Sequence, residues 1–113
     1  MKKIEAYIKQ HRVDDVVTAL RQVEGLTGMT VTLAQGFGRG HLGTESHPTQ
    51  EMIHDLHAVA KLDVFCPDEL AATITNVIQT TSHTGLRGDG KIYVMPVDQA
   101  VRISSGETGL SAV

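Results

Sequence analysis

The stretch Thr84-Gly-Leu-Arg-Gly-Asp-Gly-Lys91 gathers three glycines and two basic residues just before an apolar run, Ile92-Tyr-Val-Met-Pro96. Glycine permits backbone conformations that other residues avoid, and it lets an anion approach main-chain N–H groups closely. Lys91 adds a positive charge at the rim. The chemistry open to these residues is the cradling of an anion, with a nucleotide phosphate as the first candidate. The plainer alternative is a glycine-rich turn that joins a helix to a strand and holds nothing.

The spacing Gly85-x-x-x-x-Gly90-Lys91 nearly satisfies the P-loop pattern, but two features reject it. Ile92 follows Lys91, so the hydroxyl that would hold magnesium is missing. The order of elements is also reversed. A P-loop runs strand, loop, helix, so that the helix N-terminus faces the phosphate. Here a helical pattern over residues 67–82 precedes the loop and a strand pattern over 91–96 follows it. The tripeptide Arg87-Gly88-Asp89 also spells a short adhesion motif, at chance level.

The elements that must position this loop fit one domain spanning residues 1–113. Hydrophobic residues make up 41% and aromatic ones 4% without any Trp, so the core must be aliphatic. A net charge of −3 with no basic stripe argues against nucleic acid as a partner. Cys66 is the single cysteine, which excludes an internal disulfide and suits a reducing compartment. No long apolar run is present, and the start Met1-Lys-Lys-Ile-Glu-Ala turns charged again at once. A soluble, cytoplasmic protein without direct membrane insertion is expected. A domain this small commonly gains stability by oligomerising.

Residues 3–8 alternate polar and apolar, as a half-buried strand does, and His11-Arg12 ends them. Val13, Val16, Val17, Leu20 and Val23 recur at helical spacing, with Asp14 and Asp15 in the first turn, where the helix dipole favours anions. Gly25 and Gly28 close that helix. Residues 29–34 read as a second strand leading into Gly36-Phe-Gly-Arg-Gly40. Residues 40–57 have weak periodicity and carry His41, His47, His54 and His57; they read as a long loop, with a short helix after Pro48 as one option. Residues 59–65 alternate again as a third strand, and Pro67-Asp-Glu69 starts a second helix with Leu70, Ile74, Val77, Ile78 and Thr81 facing inward. The order is β-α-β-β-α-β. It predicts a ferredoxin-like α+β fold, a four-stranded antiparallel sheet with two helices on one face and a long loop between strands 2 and 3. That fold hosts many functions and decides none.

Several blocks in this order resemble one family. They are the start Met1-Lys-Lys-Ile-Glu-Ala, Gly28-Met-Thr-Val-Thr, Gly36-Phe-Gly-Arg39, Thr84-Gly85-x-x-Gly88-Asp-Gly-Lys91-Ile, and Arg102 followed by Gly106-Glu-Thr-Gly109. Together they resemble the P-II nitrogen-regulatory signal-transduction proteins over nearly the whole chain. The resemblance implies a homotrimer with an ATP or ADP site in each cleft between neighbouring subunits. It also implies that the loop over residues 40–57, the T-loop of that family, docks on a regulated partner. A membrane transporter or efflux system is a candidate target. Carried over by position, the resemblance puts the phosphates among Gly88, Asp89, Gly90 and Lys91 of the loop at 83–91. Arg39 adds charge from the base of the T-loop, and Arg102 adds it from a neighbour's tail (97–113). The adenine is expected near Thr30, Gly36, Phe37, Gly38 and Phe65. Such a regulator is not an enzyme. Taken singly, Arg39 and Arg102 read as solvated charges and Thr30 as an ordinary strand residue.

The departures from the family pattern matter as much. Gly40 stands where the family has a Gln that helps hold magnesium and 2-oxoglutarate. Val59 stands where it has a Lys for 2-oxoglutarate, and Ser104 where it has a second tail Arg. Losing a charge-assisted partner to a polyphosphate costs about 1.5–3 kcal/mol. A weak or absent 2-oxoglutarate response is therefore expected, with AMP as a further nucleotide candidate and the role of magnesium open. The tyrosines are Tyr7 and Tyr93, both in strand patterns, so the loop holds no tyrosine for uridylylation. The four loop histidines, near Glu45, Glu51 and Asp55, offer imidazole and carboxylate donors that suit zinc, nickel or copper, although no spacing matches a structural zinc motif. Solvated polar loop residues are the plainer reading. Two other functions stay open on the residues. One is a metal-responsive module like the trimeric divalent-cation-tolerance proteins. The other is a slow ATPase, for which no base or nucleophile set stands beside the glycine-rich loops.

Overall fold

The computed structural model describes residues 1–38 and 56–113. Its strands are β1 (Lys2–Lys9), β2 (Thr30–Gly36), β3 (His57–Cys66) and β4 (Lys91–Pro96); its helices are α1 (Val13–Arg21) and α2 (Asp68–Ser82). All neighbouring strands pair antiparallel, in the order β2-β3-β1-β4. With both helices on one face, this is the ferredoxin-like arrangement that the element order predicts.

The period-2 pattern of β1 explains its central place. Ile4, Ala6 and Ile8 are buried on one face and meet Ala60, Leu62 and Val64 of β3, with Val16 and Leu20 of α1 and Ile74 and Ile78 of α2 above them. Each fully buried Ile or Leu contributes about 1.5–3 kcal/mol. The core is aliphatic, as the scarcity of aromatics requires.

Arg12 connects the two helices. Its Nε and Nη2 donate to the Thr81 carbonyl at 3.1 and 2.6 Å, and its Nη1 lies 2.9 Å from Asp15. The guanidinium thereby satisfies a carbonyl left orphaned at the C-terminal end of α2. At the other end of α2, the N-terminal amine of Met1 pairs with Asp68 at 2.8 Å, placing both groups beside the first turn.

The sheet face away from the helices carries Lys3 and Glu5 of β1, Lys61 and Asp63 of β3, and Tyr93 of β4. Glu5 and Asp63 stand directly opposite each other in the register. Like charges so placed repel. Lys3 and Lys61 on the diagonals offset this, each within 3.2–3.7 Å of both carboxylates.

β3 begins at His57. The residue read as the last of the loop is therefore a strand residue, paired with Gly36. Arg39, Gly40, His41, His47, His54 and the helix proposed after Pro48 lie outside the described residues.

Candidate functional site

The cleft lies where β1 ends and β4 begins. Antiparallel pairing sets Tyr7 against Lys91 on one side and Lys61 on the other. β2 leaves the sheet at the same end, since Gly36 pairs with His57. The loop between α2 and β4 thus faces the segment just past β2. They enclose a space of about 690 Å³, lined among the described residues by Lys9, Gly36, Phe37, Gly38, His57, Val59 and residues 87–91. Small-molecule sites span roughly 300–1,000 Å³. Lys9, Arg87 and Lys91 supply positive charge at this rim.

The loop needs glycine for two separate reasons. Gly85, Gly88 and Gly90 all have positive φ, at 81°, 80° and 105°. At Gly90 the backbone also presses on β1, and a Cβ there would lie 1.7 Å from the Tyr7 carbonyl oxygen. Only glycine lets the chain pass so close before turning into β4.

Asp89 closes the loop on itself. Its Oδ2 accepts from the N–H of Thr84 at 2.9 Å and of Gly85 at 3.2 Å. Its Oδ1 accepts from the Thr84 hydroxyl and lies 3.2 Å from Lys9 Nζ. His83 Nδ1 lies 3.4 Å from Oδ2. The Thr84 hydroxyl also accepts from the Leu86 N–H and from Lys9, both at 3.1 Å. The bonds from Thr84, with help from Lys9 and Gly85 and against a smaller opposing effect of burial, hold the Asp89 carboxyl well below the usual carboxylate range.

The structure brings together Gly36, Phe37, Gly38, Gly88, Asp89, Gly90 and Lys91 from the expected set. The Asp89 carboxylate turns back onto the start of its own loop. Thr30, Phe65 and Arg102 stand elsewhere. Thr30 opens β2 and Gly36 ends it, which separates them by about 20 Å of strand. Phe65 pairs with Lys3 near the far end of β1 and is 46% exposed, with Lys3 Nζ 5.9 Å from its ring centre. Arg102 sits in a tail turn closed by its N–H to the Glu107 carbonyl at 2.8 Å and by the pairing of Val101 with Thr108; its side chain reaches the Ser111 carbonyl at 3.3 Å.

Lys9 and Thr84 escaped the sequence reading as site residues. The Thr84-to-Asp89 spacing is a usable signal, because threonine and aspartate commonly bond nearby backbone N–H groups in turns. No group of three or more His, Cys, Asp or Glu side chains capable of holding a metal occurs among the described residues. Cys66 is buried, and burial pushes its thiol up from its ordinary value. None of the helices in the described residues is long and apolar enough to cross a membrane.

Comparison with known proteins adds an independent line. The sequence profile of the family described as nitrogen regulatory protein P-II matches residues 1–107. A protein named nitrogen regulatory protein P-II from Rhizobium meliloti (strain 1021) is 45% identical over 113 residues, covering all of both chains. Its counterpart in Azospirillum brasilense is also 45% identical with full coverage. Nitrogen regulatory protein P-II 1 from Escherichia coli (strain K12) is 42% identical, again end to end.

Proposed function

The chain belongs to the P-II family of nitrogen regulatory signal-transduction proteins, and from that premise we propose that it is a non-catalytic regulator that binds ATP or ADP in clefts shared between the subunits of a trimer. The observation that carries this is the split of the expected site. The phosphate cradle and the segment after β2 line one cleft. Thr30, Phe65 and Arg102 lie outside it, two of them towards the opposite end of the sheet. A second copy that brings its far end and tail to the first copy's cleft completes the set. The P-II resemblance supports the same arrangement, with the nucleotide selecting the conformation of the loop at 40–57 that acts on a partner.

The second-effector response is altered in this reading. Val59 lines the cleft with an apolar side chain where the family pattern has a lysine. Gly40 and Ser104 remove further polar partners. The chain therefore answers weakly or not at all to 2-oxoglutarate.

Calorimetry with ATP, ADP, AMP and 2-oxoglutarate, paired with analytical ultracentrifugation, tests the proposal. Expected are a trimer, saturable adenine-nucleotide binding and no comparable 2-oxoglutarate signal in the presence of magnesium and ATP. A monomer that binds no adenine nucleotide overturns the reading. Tight ATP-dependent 2-oxoglutarate binding overturns its second half.

A further inference from the structure

We propose that the side chains of Asp89 and Thr84 form a latch that positions the phosphate-binding loop, with the Asp89 carboxylate bonding the loop and not the phosphates. The inference rests on the nucleotide reading of the cleft and deepens it.

The carboxylate is fully engaged inside the loop. It takes the N–H groups of Thr84 and Gly85 and the hydroxyl of Thr84, and lies beside Lys9 Nζ. These partners lie at the start of the loop, whereas Asp89 lies at its end. The bonds therefore join the two ends and close residues 84–89 into a ring. The Thr84 hydroxyl extends the closure to Leu86 N–H. Lys9 ties the ring to β1. Next door, Gly90 rests on the Tyr7 carbonyl. The loop is thus fixed to β1 at two adjacent points before Lys91 enters β4. With Asp89 and Lys9 neutralising each other, Lys91 and Arg87 are the cations on the loop side of the cleft.

Charge and position predict opposite signs for the loss of Asp89. A carboxylate near a phosphate repels it, so removing the charge alone strengthens binding. Removing a latch lets the loop sample other shapes, and the ligand must then pay to order it, so binding weakens.

The test compares Asp89→Asn, Thr84→Val and Thr84→Ser with the parent chain. ATP affinity is read by calorimetry, and amide hydrogen exchange is read at Thr84, Gly85 and Leu86. Asp89→Asn and Thr84→Val are expected to lower ATP affinity about tenfold or more, with faster exchange at those amides. Thr84→Ser keeps the hydroxyl and is expected to stay close to the parent. ATP affinity equal to or tighter than the parent's in Asp89→Asn overturns the inference. Should that variant not fold, equal affinities for Thr84→Val and Thr84→Ser overturn it instead. Parent chain that binds no adenine nucleotide overturns the site itself and this inference with it. Parent binding with unaffected variants overturns the latch alone.

Discussion

At the residue scale, the loop before β4 depends on one close approach, that of Gly90 to β1. A methyl group at position 90 would meet the Tyr7 carbonyl at 1.7 Å on a backbone with φ of 105°. Gly90→Ala is therefore expected to destabilise the fold by more than the about 1–3 kcal/mol that the backbone conformation alone costs, read as a lowered thermal midpoint, and to weaken ATP binding. Lys91 carries a different kind of role, because it begins β4 with an exposed side chain at the cleft. Lys91→Ala is expected to leave the thermal midpoint near the parent's and to cost about 1.5–3 kcal/mol of ATP binding, measured by calorimetry. An unchanged affinity would remove Lys91 from the site. Both residues were legible as candidates in the glycine-rich run. The reason for Gly90 was not, since it depends on a carbonyl more than eighty positions away in sequence.

At the element scale, alternation alone located β1, and the apolar run located β4 at the residues where it stands. β3 proved longer than its clearest alternation, starting at His57, because pairing with β2 extends it through positions whose own pattern is weak. The open face of the sheet adds a pH dependence. The Tyr7 hydroxyl, then Lys61 and Lys3, lower the Glu5 carboxyl to about 2, against a smaller opposing effect of burial. A carboxyl lowered on folding contributes stability that is fully present above its unfolded value, near 4.3, and is lost as pH falls through the folded one. Acid unfolding should therefore steepen between about pH 4.3 and pH 2. In Glu5→Gln that part of the dependence should be missing from urea titrations across the window. An identical acid profile in the two chains would assign the effect elsewhere. The stripe of charges was visible in the sequence, but the opposition of Glu5 to Asp63 was not, because register is a property of the pair of strands.

At the scale of the whole molecule, the proposed division of the site between copies makes a prediction that no single-chain site shares. Chains carrying Lys91→Ala lack the cradle cation, and chains carrying Arg102→Ala lack the tail cation. Each alone should bind ATP poorly. Refolded together, the proposed cyclic trimer containing both kinds is expected to regain one intact cleft, pairing the unaltered Lys91 of one chain with the unaltered Arg102 of the next. Recovery of part of the ATP binding on mixing is expected by calorimetry; no recovery would place both residues in the same chain's site or leave one of them outside it. Taken by itself, the sequence determined the element order, the aliphatic core and the family blocks, because periodicity and glycine punctuation are local and survive without coordinates. Only the tertiary structure decided that the Asp89 carboxylate bonds Thr84, that Lys9 belongs beside it, and that Thr30 and Phe65 stand away from the cleft. Those facts depend on strand register and on side-chain direction, which bring residues distant in the chain together, or keep them apart, in ways that no spacing along one strand specifies.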